Sequence, residues 1–97
     1  MGSPKYDWWG YVKSMIRRYP DQVNESERAA VEAAMTETKY LDKPARRLKV
    51  VKLVLMDGSH TLAGAALQVH CSEHSVQRFH ADFIRCVAEN FRCDGLL

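Results

Sequence analysis

The sequence predicts an all-α fold, a small bundle of about five helices with a C-terminal helix-turn-helix and a long recognition helix. Three observations lead there. Apolar residues recur at helical spacing in successive stretches. The breaks between these stretches carry capping residues, proline or glycine. The single β-branched run, Val50–Met56, is followed by an Ala-rich helical stretch and so lacks a partner strand.

The chain has 97 residues, 46% of them hydrophobic and 27% charged. That balance argues against a wholly disordered chain. One domain over 1–97 is expected, with a helical pair in 6–41 and the helix-turn-helix region in 42–97. The length excludes a barrel enzyme or a full dinucleotide fold. A core this small would gain from a homodimer or a larger partner. No stretch approaches the ~20 apolar residues that cross a bilayer. Met1–Lys5, followed by the aromatic stretch Tyr6–Tyr11, does not read as a signal peptide. A cytoplasmic location without membrane contact is expected.

The first helix should span about Tyr6–Tyr19. Trp8, Val12, Met15, Ile16 and Tyr19 form one stripe, which makes Trp8 a core residue and leaves Trp9 off the stripe. Arg17 and Arg18 suit the dipole at its end, and Pro20 stops it. The second helix, Glu25–Lys39, opens on Asn24 with Glu27 three residues on, a capping-box pattern. Val31, Ala34, Met35 and Thr38 share one face, small enough at Ala34 for close packing. After the short connection Tyr40–Pro44, Asp42 before Lys43-Pro44 suggests a third helix start. Val50, Val51, Val54 and Leu55, with Leu48, would be its buried side, and Gly58 its end. A strand over Val50–Met56 with a hairpin turn at Asp57-Gly58 is the rival reading; the missing partner strand favours the helix.

The last third is the most informative. Thr61 can cap a short helix, Leu62–Val69. His70-Cys71-Ser72 interrupts it, and Ser72 can cap a long helix to about Phe91. Val76, Phe79, Phe83, Val87 and Phe91 form its stripe, and the first four are expected to be buried together. Two helices joined by a three-residue turn make a helix-turn-helix unit. Ala65 and Ala66 supply the small crossing surface, and Val69, Cys71, Val76 and Phe79 the apolar wedge. Glu73, His74, Gln77 and Arg78 are left pointing outward. His70 holds the turn position often taken by glycine; histidine tolerates positive φ better than a β-branched residue.

Residues 65–80, Ala-Ala-Leu-Gln-Val-His-Cys-Ser-Glu-His-Ser-Val-Gln-Arg-Phe-His, resemble the helix-turn-helix of sigma-factor region four. They are still more similar to the C-terminal segment of phage late-gene transcriptional regulators of the RinA and ArpU type. His80–Glu89 is similar to the long helix of those proteins. The resemblance covers roughly residues 44–91. It implies a DNA-binding regulator of phage or prophage origin. The front end, from Tyr6 to Pro20, resembles small prophage proteins, and that likeness assigns it no role.

On this reading the helix beginning at Ser72 enters the major groove. Gln77 suits adenine and Arg78 guanine, with Glu73 and His74 as secondary readers. Thr61 and Ser72, at helix N-termini, would hold phosphates. Residues 41–60 carry Lys43, Arg46, Arg47, Lys49 and Lys52 against Asp42 and Asp57, a local excess of three positive charges in a chain of net charge +2. Arg46, Arg47 and Lys49 would add sequence-independent attraction, although a solvated helix face is an equal reading of them. The partner is double-stranded DNA, bound by a homodimer on paired half-sites.

A different class of function is a protein-interaction or DNA-packaging module, touching RNA polymerase or acting as a small terminase subunit does. Trp8, Trp9 and Tyr11 would then be the telling residues. An enzyme is the remaining class and is not expected. Cys71 falls in the wedge and Cys86 mid-helix, and there are no paired carboxylates and no phosphate loop. Three cysteines, Cys71, Cys86 and Cys93, make an odd number that favours reduced thiols. His60, His70, His74 and His80 share the C-terminal half with them, but the spacing is not that of a zinc site. No metal and no cofactor are expected.

Overall fold

The computed structural model of the chain describes residues 9–21 and 24–93, without the side chains of Pro20, Arg92 and Cys93. Among the described residues every regular element is helical, as the periodicity predicts.

Helix α1 spans Trp9–Arg18 and closes in a single 3₁₀ turn, Tyr19–Asp21, at the proline that cannot continue it. Residues 6–8 lie outside the described residues, and with them the expected core position of Trp8. Val12, Met15 and Ile16 are buried as the stripe requires. Trp9, expected off the stripe, is half-buried against the same core.

Helix α2 spans Glu25–Thr38. Asn24 Oδ1 accepts from the Glu27 N–H at 3.0 Å, the cap expected from the sequence. The Glu27 carboxylate accepts from the Tyr11 hydroxyl and, at 2.9 Å, from Arg18. These bonds join α1 to α2 and explain how a glutamate can be buried there. Ala30, Val31, Ala34 and Thr38 form the buried face.

Helix α3 spans Pro44–Val50 and continues directly into a wider π-helical segment, Val51–Met56. Its N-cap is Lys43, in the left-handed region at φ 50°, rather than Asp42. Asp42 instead binds Arg47 through both its backbone and its side chain. The β-branched run is thus helical, with i→i+5 bonding that the sequence did not announce. Asp57 N–H donates to Lys52 O at 2.8 Å, and the Ser59 and His60 N–H groups both reach Leu53 O. Gly58 follows at φ 64°, in the left-handed conformation that glycine tolerates best.

Helix α4 spans Leu62–Val69 and helix α5 spans Glu73–Cys93. The core divides into two clusters along α5. Phe83, Ile84, Val87, Ala88 and Phe91 pack with α1, α2 and the π-helical segment. Val76 and Phe79 pack with Val50 of α3 and with Ala65, Ala66 and Val69 of α4. The four stripe residues expected to be buried together are all buried, but two belong to each cluster. A helix of 21 residues is ~30 Å long at 1.5 Å per residue, so its two halves meet different neighbours.

Candidate nucleic-acid interface

The segment Thr61–Phe79 assembles as its sequence predicts. Thr61 Oγ1 accepts from the Gly64 N–H at 3.1 Å and caps α4. Ser72 Oγ accepts from the Ser75 N–H at 3.1 Å and caps α5. Each satisfies a backbone donor that a helix start leaves open. Between them His70 adopts φ 57°, ψ 44°. That left-handed residue lets the Cys71 N–H fold back to Ala66 O at 3.1 Å, closing the turn.

The wedge is also in place. Ala65, Ala66, Val69, Val76 and Phe79 are buried in one cluster, with Cys71 half-buried against it. The sequence reading lacked a third wall: Val50, Leu53 and Val54, from α3 and its π-helical extension, close the cluster from behind.

With the apolar side fixed, Glu73, His74, Gln77 and Arg78 are all exposed on the first turns of α5. Arg78 stays close to the surface. Its guanidinium is 5.9 Å from the Phe79 ring centroid and 3.8 Å from Asp42, with its side chain 55% exposed. Thr61 and Ser72 are exposed as well. Their side-chain oxygens already serve the caps, and Ser72 Oγ donates to Ser75 Oγ at 3.0 Å.

The basic trio separates. Arg46 and Lys49 are exposed on α3. Arg46 reaches the turn itself, with Nη1 3.7 Å from Cys71 Sγ. Arg47, expected on the phosphate-facing side, is only 6% exposed. Its Nε donates to Asp42 O and its Nη2 to Asp42 Oδ1, both at 2.7 Å, while Nη1 donates to Asp82 Oδ2 at 3.1 Å. The Arg47 hydrogen bonds hold the Asp42 carboxyl below its ordinary range. Two carboxylates therefore neutralise Arg47, and it is corrected from a phosphate contact to a structural clamp between α3 and α5. Within 41–60, Arg47 and Lys52 have carboxylate partners; Lys43, Arg46 and Lys49 have none among the described residues, and of these Arg46 is the one that touches the turn.

Two features escaped the sequence reading. Leu67 of α4 is 79% exposed, an apolar side chain facing solvent. Lys13, Ser14, Arg17, Arg18 and His80 line an open cleft with Val54 and Leu55. Lys13 and Arg17 at i, i+4 were visible on one helix face, but nothing local brings His80 beside them. Among the described residues no group of histidine, cysteine and carboxylate side chains could hold a metal ion. No helix among them is long and apolar enough to cross a membrane. In comparisons with protein-family models, curated proteins and solved structures, no match was found.

Proposed function

We propose that the chain is a sequence-specific DNA-binding transcriptional regulator of phage or prophage type, acting in the cytoplasm. It lays the first two turns of α5 in the major groove. The observation that carries this reading is the exposed set Glu73, His74, Gln77 and Arg78 standing on a capped, wedged turn. These side chains have no part in the buried clusters, and Gln and Arg are the residue types that read adenine and guanine bidentately. Arg46, which touches the turn at Cys71, and Lys49, exposed on the same helix, supply phosphate attraction, with Thr61 and Ser72 at the helix starts. The modest charge favours a homodimer on two half-sites.

Selection from random duplex DNA with the full chain tests this. Enrichment of a defined site, bound with strong salt dependence, is the expected result. Recovery of random sequence only would set the regulator reading aside. Exposed Leu67 and Tyr40 favour a second reading, contact with a protein partner such as RNA polymerase. That reading predicts polymerase binding without any selected site.

A further inference from the structure

The cleft between α1, the π-helical segment and α5 has a volume of about 420 Å³ and no carboxylate among the described residues that line it. That volume is within the ~300–1,000 Å³ range of small-molecule sites. Its chemistry is one-sided. Lys13, Arg17 and Arg18 bring three cations, with the Ser14 hydroxyl and the His80 imidazole beside them. Arg18 is shared with Glu27 at 2.9 Å. Lys13 and Arg17 have no carboxylate partner among the described residues.

Arg17 is held in position by the helix end. Leu55 lies in the last turn of the π-helical segment, and its carbonyl accepts Arg17 Nε at 3.1 Å. In a regular helix that carbonyl would accept from the Ser59 N–H, which here goes to Leu53 O. The guanidinium also lies against Gly58, where a Cβ would come within 2.3 Å of Nη2. A fixed, uncompensated guanidinium beside a lysine, over apolar Val54 and Leu55, is arranged for an oxyanion with a less polar body.

We propose that this cleft binds the phosphate group of a phosphorylated small molecule, with Lys13 and Arg17 as its cationic contacts and Val54 and Leu55 under the rest of the ligand. The proposal stands independently of the DNA reading. None of the described residues lining the cleft belongs to the turn or to the exposed set Glu73, His74, Gln77 and Arg78.

The test is an NMR titration of the full chain with inorganic phosphate and with ribose 5-phosphate, against chloride at matched ionic strength. Saturable shifts at Lys13, Arg17, Gly58 and His80 are expected, with ribose 5-phosphate the tighter of the two. Lys13→Gln should weaken binding about tenfold, as loss of a charge-assisted contact does. Lys13 is exposed and unpartnered among the described residues, so this variant should keep the wild-type melting temperature. Arg46→Gln, on the DNA-facing side, should leave the titration unchanged. Shifts that chloride reproduces, or that survive Lys13→Gln, overturn the proposal. Equally decisive would be a random-sequence duplex that moves the same signals and is not displaced by ribose 5-phosphate. The cleft would then be a backbone contact.

Discussion

The guanidinium carbon of Arg47 lies 4.7 Å from the centroid of the Phe79 ring, so a charged side chain roofs the aromatic wedge residue. Asp42 and Asp82 hold it there from two directions. The cation thus packs on the ring face while its donors are spent on carboxylates.

Arg47→Ala should therefore destabilise the fold by about 1–3 kcal/mol. This is less than the loss of a fully buried pair, because the abandoned carboxylates reach water. Urea denaturation measures it. Arg47→Lys should recover little, since an ammonium cannot serve three acceptors in one plane. Full recovery by lysine would reduce the site to simple charge.

Phe83 is 2% exposed in the cluster formed with α1 and α2. Phe83→Ala should cost about 3–5 kcal/mol, the range for a large core aromatic. A thermal or denaturant melt showing under ~1 kcal/mol would mean that the surrounding helices collapse into the space.

On DNA, Arg46 and Arg78 should separate. Arg78→Ala should lose about 1–3 kcal/mol on the selected site and relax one base position, with little change in melting temperature. Arg46→Ala should weaken all duplexes alike and lower the salt slope by about one. Titrations against the selected site and its single-base variants distinguish the two. An equal loss on specific and random DNA would demote Arg78 to a phosphate contact.

The helix-turn-helix was legible because its signals are local. Thr61 and Ser72 cap within three residues, His70 sits at the turn, and the small and large apolar residues fall in order. Arg47 was not legible. Its burial depends on Asp82, 35 residues away, and on the approach of α3 to α5. The single stripe of α5 likewise gave no sign that Val76 and Phe83 serve different clusters, because periodicity records a face but not its neighbours. The helix over Val50–Met56 could be argued from a missing strand partner. Its π-helical form could not, since i→i+5 bonding has no simple residue signature. The cleft needs three elements from distant parts of the chain.

Burial, and then the charge on Lys13, hold the His80 imidazole below its ordinary value of 6.5. The folded chain therefore takes up that proton less readily than the unfolded chain. The stabilising contribution is complete above pH 6.5 and is lost as pH falls through the depressed folded value. Denaturation midpoints should decline across this window in the wild type and less steeply in His80→Gln. Parallel pH profiles would mean that His80 does not carry the dependence.

Burial, the Glu37 carboxylate beside it and then Glu89 push the Cys86 thiol up to about 12. Its Sγ donates to Glu37 Oε1 at 3.4 Å. At pH 8 it should stay protonated and resist iodoacetamide while the chain is folded, then react in urea. Peptide mapping after alkylation reads this directly, and rapid labelling of folded protein would contradict it.

The segment Val51–Met56 holds more residues in a turn than an ordinary helix does. Excising one residue there would let the i→i+5 bonds relax to ordinary i→i+4 winding while the chain on either side keeps nearly the same phase. Gly58 would stay against Arg17, and α4 would keep its edge on α3. The same excision from the regular winding of α3 would instead screw everything downstream by ~100° and draw it in by ~1.5 Å. The chain's tolerance of length changes is therefore uneven. A residue lost within Val51–Met56 would be absorbed where it was lost, whereas one lost a turn earlier would be felt through α4 and α5.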